Sequence, residues 1–292
     1  MTQLSIEEHS VPGDGPYAIT TGPDGALWFT LVHSGHIGRL EPGGEPENHR
    51  LDPGCGPTII TPGPDGALWF TEYQAHRVGR ITTDGKVSEY ALPTAECGPF
   101  GIAAGSDGAL WFTETAIDRI GRITTDGQVT EFPLPTAGAF PSAITAGPDG
   151  AMWFTMNQAN AIGRISTGGS VTVHPLPTEA AAPVGIAAGP DGALWFVEIA
   201  AGQIGRLTLD GQITEFALPD RASRPHAITA GPDHTLWFTE WGGNRVGTIT
   251  ADGVIETHDL PTPGAEPHGI TLGPDDAMWT ALETGALARI TT

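Results

Sequence analysis

The chain has 292 residues, a length that fits two average domains or one large closed architecture. Its 41 glycines and 26 prolines recur at fixed offsets beside Trp, Phe, Ile and Val, so they read as turns between short strands, not as disorder or a helical fold. A net charge of −21 argues against nucleic acid or an anionic membrane as partner, since both require a basic face, and reads most simply as a solvated acidic coat.

The first fourteen residues carry Glu7, Glu8 and Asp14 and no basic segment followed by an apolar one, which argues against a secretory signal. No apolar run approaches the ~20 residues of a spanning helix. A soluble cytoplasmic protein is expected. Within this segment Ile6 to Pro12 has the pattern of a strand, similar to Ile213 to Pro219 much later in the chain.

Next comes a repeat. Trp28, Trp69, Trp111, Trp153, Trp195, Trp237 and Trp279, each preceded by Leu or Met, stand 41 and then 42 residues apart and take up all the tryptophans but Trp241. One unit runs from Pro225 through Leu236-Trp237-Phe238-Thr239-Glu240, Arg245 to Ile249 and Ile255-Glu256 to Leu260-Pro261: four apolar runs separated by Gly/Pro/Asp turns. Four antiparallel strands at this period make a propeller blade, so the chain is expected to be an all-β, seven-bladed β-propeller, a single domain over 1–292. The last unit stops after its third strand, at Ala288 to Thr292. The N-terminal strand therefore supplies the fourth, closing the ring and removing two exposed edges, and a monomer is expected. Cys55 and Cys97, two residues before Pro57 and Pro99, occupy equivalent places in adjacent blades and are read as free thiols.

A repeat separates scaffold from site. The first strand of each blade lines the channel, and the residue after its opening proline faces the mouth: Tyr17, Thr58, Phe100, Ser142, Val184, His226 and His268. The residue before that proline is small or apolar until Arg224 and Glu266. Two histidines, a carboxylate and a guanidinium thus converge from the last two blades. One such histidine could simply bond a carbonyl at a strand start, but two at matched positions beside Glu266 favour a site. Glu72, Glu114, Glu198 and Glu240, three residues after the tryptophan, recur in four blades and are expected to bond the backbone of a neighbouring blade.

The last blade places its carboxylate one residue later, at Glu283, a shift that re-aims it toward the mouth near Glu266. Two carboxylates beside histidines suit a hard divalent cation such as Mg²⁺ or Ca²⁺. Tyr17 neighbours the last blade once the ring closes, placed to contact substrate or to cap the channel. Trp241 is placed to wall a ligand or to pack. His33, His36, His49, His76, His174, His234 and His258 are read as surface residues without a common repeat position. No Gly-x-Ser-x-Gly elbow, phosphate-binding loop or zinc spacing is present.

Arg224 to Thr229, Leu236 to Gly242, Glu266 to Ile270 and the late Glu283 resemble the virginiamycin B lyase family, and the resemblance extends over the whole chain. It implies an Mg²⁺-dependent carbon–oxygen lyase that linearises cyclic streptogramin B depsipeptides, small-molecule antibiotics, by elimination at the ester and so confers resistance. Carried over by motif, His268 is the general base, His226 a substrate contact, and Glu266 and Glu283 the Mg²⁺ ligands. Trp279-Thr280, where other blades have Trp-Phe, departs from the repeat in packing only. A neutral imidazole can take a Cα proton at physiological pH, and no nucleophile is required. Two alternatives remain open at this point: a metal-dependent lactonase or esterase, and a non-catalytic binding propeller.

Overall fold

Each blade's second strand is buried from end to end, for instance Leu68–Glu72 and Leu236–Glu240, because blades stack face to face and leave neither side of that strand to water. This explains a continuous Leu-Trp-Phe-Thr run where a half-exposed strand would alternate. The computed structural model describes residues 4–291, which form seven four-stranded antiparallel sheets and one short 3-10 turn, Pro232–His234. Thr292, read as the end of the last strand, lies outside the described residues.

The hydrophobic core is divided into seven clusters, each shared by two consecutive blades. Trp195 packs with Leu236 and Phe238 of the next blade, Trp237 with Met278, and Trp279 with Leu27 and Phe29 of the first. Within a blade the Phe ring lies across the glycine opposite it on the third strand. A Cβ on Gly79 would sit 2.2 Å from the Phe70 ring, so glycine is required there. In the last blade Thr280 replaces Phe, and its partner is Ala288 in place of glycine. Smaller opposite larger preserves the volume.

In six blades the Asp of the turn ties the outer half together. Asp65 accepts from Trp69 Nε1 at 3.0 Å and from Arg80 Nε at 2.6 Å, and the same pairs recur around Trp28, Trp111, Trp153, Trp195 and Trp279.

Ser5–Ser10 pairs with Ala286–Thr291 in the register Ser5↔Thr291 to Ser10↔Ala286, as the sequence predicts. The closing strand also repeats the side-chain pattern of an ordinary fourth strand. Glu8 accepts from the Thr262 backbone N–H at 3.1 Å, as Glu131 does from Thr94 and Glu215 from Thr178.

Three sequence expectations need correction. Glu72, Glu114, Glu198 and Glu240 are buried, but they do not reach a neighbouring blade's backbone. Glu72 accepts from Arg77 Nε at 2.9 Å and Glu198 from Gln203 Nε2 at 2.6 Å, both on the same blade's third strand. The end of the second strand faces that strand and the turn holding Cys55, Cys97 or Ser223, so no interblade carbonyl or N–H is in range. Second, His49, His174 and His258 do share a repeat position, the one held by Tyr90, Phe132 and Phe216 on the fourth strand. There His49 and His174 stack on Trp28 and Trp153, and His9 of the closing strand lies over Trp279. The third correction concerns His33 and belongs to the site. Cys55 and Cys97 are free and buried, and burial pushes both thiols up to about 12.

Candidate active site

The first strand of every blade carries a β-bulge just after its opening proline. In blade six Pro225 pairs with Glu240 and Ile228 with Phe238, so His226 and Ala227 face the single residue Thr239. Blade seven bulges likewise between Pro267 and Ile270. A bulge re-aims a side chain that a regular strand would send elsewhere, and Tyr17, His226 and His268 all sit in one. Their rings meet: His226 and His268 edge to face at 4.6 Å between centroids, Tyr17 and His268 at 4.5 Å, Tyr17 and His226 at 5.7 Å.

Tyr17 and His226, against which His268 packs, line with Glu283 a cavity of about 580 Å³ at the channel mouth, walled elsewhere by Ile59, Tyr73, Phe100, Phe140 and Val184. Such a mouth is apolar with few polar groups, the usual makeup of a small-molecule site.

Glu283 reaches the mouth for a different reason from the one the sequence suggested. Leu282, not Glu283, takes the buried strand-end place that Glu240 holds in blade six, since Pro267 pairs with Leu282. Glu283 is the next residue, the place of Val32, Tyr73, Thr115, Asn157, Ile199 and Trp241, and alternation turns it to the cavity. One oxygen bonds His268 Nε2 at 2.5 Å and the other bonds His33 Nε2 at 2.7 Å. His33 is exposed, as the sequence reading had it, but that reading left it outside the site, and this bond makes it part of it. Its signal was present: it stands five residues after Trp28, but only ring closure brings blade one against Glu283.

Burial pulls His268 below the ordinary imidazole range, although the Glu283 and Glu266 carboxylates pull the other way. Burial brings His226 to about 3, with the nearby His268 adding to the effect. Both rings are neutral at physiological pH. Burial and then the Glu283 charge push the Tyr17 phenol far up, so it keeps its proton, and its hydroxyl shares a hydrogen bond with His226 Nε2 at 3.3 Å. Burial pushes Glu283 up, but the hydrogen bonds from His33 and His268 outweigh it and leave the carboxyl below its usual range. As an ionised carboxylate only accepts, both imidazoles carry hydrogen on Nε2. His226 Nδ1, His268 Nδ1 and Trp241 Nε1 are buried without a partner among the described residues. Unsatisfied polar atoms gathered in one place mark a functional site more often than a scaffold.

Glu266 joins the site through its backbone, its carbonyl accepting from the Glu283 N–H at 3.2 Å, while its side chain is exposed at the rim. Trp241 lies 6.3 Å from His268, tilted, with the Arg224 guanidinium 5.3 Å over its ring, so the pair packs beside the histidines. Among the described residues no group of three or more His, Cys, Asp or Glu side chains is arranged to hold a metal ion. A two-carboxylate site is a different donor set. Glu266 and Glu283 offer the hard oxygen donors that Mg²⁺ takes one or two at a time, completing its shell with water and substrate, and the two residues are joined only by their backbone hydrogen bond.

The residue before the opening proline is left-handed in all seven blades: Gly15, Gly56 and Gly98, then Phe140, Ala182, Arg224 and Glu266 at φ 51° to 53°. A side chain there is strained, and more so before proline. Four blades accept that strain, and in three of them the side chain retained is large or charged.

Comparison with known proteins agrees with this geometry. The virginiamycin B lyase family profile matches residues 4–290. A streptogramin B lyase structure superposes with a TM-score of 0.95 at 44% identity, covering 99% of this chain and 97% of that one. A catalytically inactive virginiamycin B lyase from Staphylococcus aureus, solved with quinupristin, gives 0.96 at 43% identity, covering 99% and 100%. The virginiamycin B lyase of Saccharopolyspora erythraea is 69% identical over 51 residues, an aligned stretch of 17% of each chain. The chain is an enzyme of the virginiamycin B lyase family.

Proposed function

We propose that the protein linearises cyclic streptogramin B depsipeptides by elimination at the ester bond, and so confers resistance to them. The observation that carries this is the cluster of His226, His268 and Glu283, of which His226 and Glu283 line an apolar cavity, in a chain matched along its length by streptogramin B lyases. The cavity walls take the apolar ring of the substrate. His226 and Tyr17 contact it beside the ester.

His268 is the general base. It removes the Cα proton of the threonyl unit; the electron pair left on Cα forms the Cα=Cβ bond, the Cβ–O bond breaks, and the ester oxygen leaves as carboxylate. Its burial keeps it neutral and ready to accept. With the Nε2 hydrogen given to Glu283, the lone pair that takes the proton is that of Nδ1, which has no partner among the described residues. Glu266 and Glu283 would hold Mg²⁺, which when bound supplies Lewis-acid stabilisation of negative charge on substrate oxygens.

Incubation of the protein with a type B streptogramin and Mg²⁺, followed by mass spectrometry, tests the reading. Elimination opens the ring at unchanged mass and creates a dehydro-amino acid with new ultraviolet absorption. A product heavier by one water shows hydrolysis instead, and an unopened ring shows neither.

A further inference from the structure

Glu283 belongs to the last blade and His33 to the first, so their 2.7 Å hydrogen bond crosses the seam at which the ring closes. Glu283 thus has two imidazoles, one on each oxygen, and only His268 is used by the proposed reaction. The second is built in, and space explains how.

In blades one, two and six, the residue before the opening proline and the one five after the tryptophan contend for the same space at the rim. In blade six the first is Arg224 and the second Gly242, where a Cβ would meet Arg224 Cγ and Cδ at 3.2 Å. In blade one the choice is reversed. Gly15, at φ +72°, leaves the space, and a Cβ there would sit 2.5 Å from His33 Cδ2. The His33 backbone is fixed as well: its N–H donates to the Asp14 carbonyl at 3.3 Å, and that of Val32 to the Gly15 carbonyl at 2.9 Å. The anchored backbone and the glycine beneath the ring thus seat a side chain that is otherwise 57% exposed.

We infer that His33 is a positioning residue: it holds one oxygen of Glu283 so that the other faces His268, making the site depend on correct closure of the ring. The inference rests on the lyase reading for its catalytic consequence but not for the contact itself. Among the described residues His33 and His268 are the side chains that bond the Glu283 carboxylate. Outer partners of this kind typically change metal affinity or activity by about 10- to 100-fold.

The test uses full-length wild type, His33→Ala and His33→Gln, the glutamine amide being able to donate to the same oxygen. ¹⁵N NMR of the His268 imidazole, without substrate or metal, should show its Nε2 resonance displaced in H33A and returned toward wild type in H33Q. Calorimetric titration with Mg²⁺ alone should show binding about tenfold weaker in H33A and mostly restored in H33Q. Turnover should fall by a similar factor in kcat with KM little altered, at an unchanged melting temperature. A His268 resonance unaffected by H33A, or a defect that H33Q does not repair, overturns the inference. A wild type that opens no streptogramin sinks the lyase reading instead, and the substrate-free NMR comparison still judges His33.

Discussion

The hydroxyl of Thr239 donates to the backbone carbonyl of His268 at 2.8 Å while accepting the Ala227 N–H at 3.0 Å. One side chain therefore joins the bulge that carries His226 to the strand that carries His268, and sets the distance between the two rings. Thr239→Val keeps the shape and removes both bonds. It should lower stability by about 2 kcal/mol, two buried hydrogen bonds at a net worth of about 1 kcal/mol each, and reduce kcat several-fold, because small displacements of reacting groups are expensive. Thr239→Ser should retain both. Steady-state kinetics and thermal melts of the pair check it; equal behaviour of Val and Ser would show that the hydroxyl does not set the spacing.

His268→Ala removes the group assigned the proton and should lower kcat by about 10²- to 10⁴-fold, the usual contribution of a general base. His226→Ala should act chiefly on KM, since that ring is held neutral and bonded to Tyr17 and is assigned no proton transfer. The absorbance of the dehydro-amino acid gives both constants. A His268→Ala enzyme within a few-fold of wild type would move the base elsewhere.

Stability should respond to pH through two opposed sets of buried groups. His226 has a folded value near 3 against 6.5 when free, so the unfolded chain binds its proton first. Its contribution is complete above 6.5 and is lost as pH falls toward 3. Glu72 and Glu114 are raised by burial to about 7 and Glu198 to about 8, against 4.5 when free. Their contribution is complete below 4.5 and is lost as pH rises through 7 to 8. Between 6.5 and 8 only the glutamates act, so the melting temperature should fall across that interval. The triple variant Glu72→Gln, Glu114→Gln, Glu198→Gln should flatten that slope in calorimetry at several pH values; an unchanged slope would remove the glutamates as its cause.

The scaffold was legible because propeller contacts are local and repeated. Seven tryptophans fix the blade count, and a final blade lacking its fourth strand requires the N-terminal one. His226, His268 and Tyr17 were legible because they vary at a position the repeat otherwise keeps small or apolar. His33 was missed because its partner lies 250 residues away across the seam. Glu283 was found for the wrong reason. Counting from the tryptophan made it a displaced copy of Glu240, whereas strand pairing makes it a counterpart of Trp241. Side-chain alternation, not spacing alone, decides which face a residue takes.

Phe140 offers the clearest separation of stability from function. It is left-handed at φ 51°, exposed, and on the cavity wall, at a position where blades one to three use glycine. Its backbone N–H donates to Asp118 at 3.1 Å and its carbonyl accepts from Asn157 at 3.2 Å, bonds that glycine would keep. A left-handed side chain costs about 1 to 2 kcal/mol, partly offset by the entropy glycine loses on folding. Phe140→Gly should therefore stabilise the fold by a few tenths to about 1 kcal/mol. The same change removes an aromatic surface from the substrate wall, worth about 1 kcal/mol when partly covered, and should raise KM roughly fivefold. Melting and kinetics on one preparation decide it. A variant less stable than wild type would mean that Phe140 is held by packing, and a KM unchanged despite higher stability would mean that its strain serves no ligand.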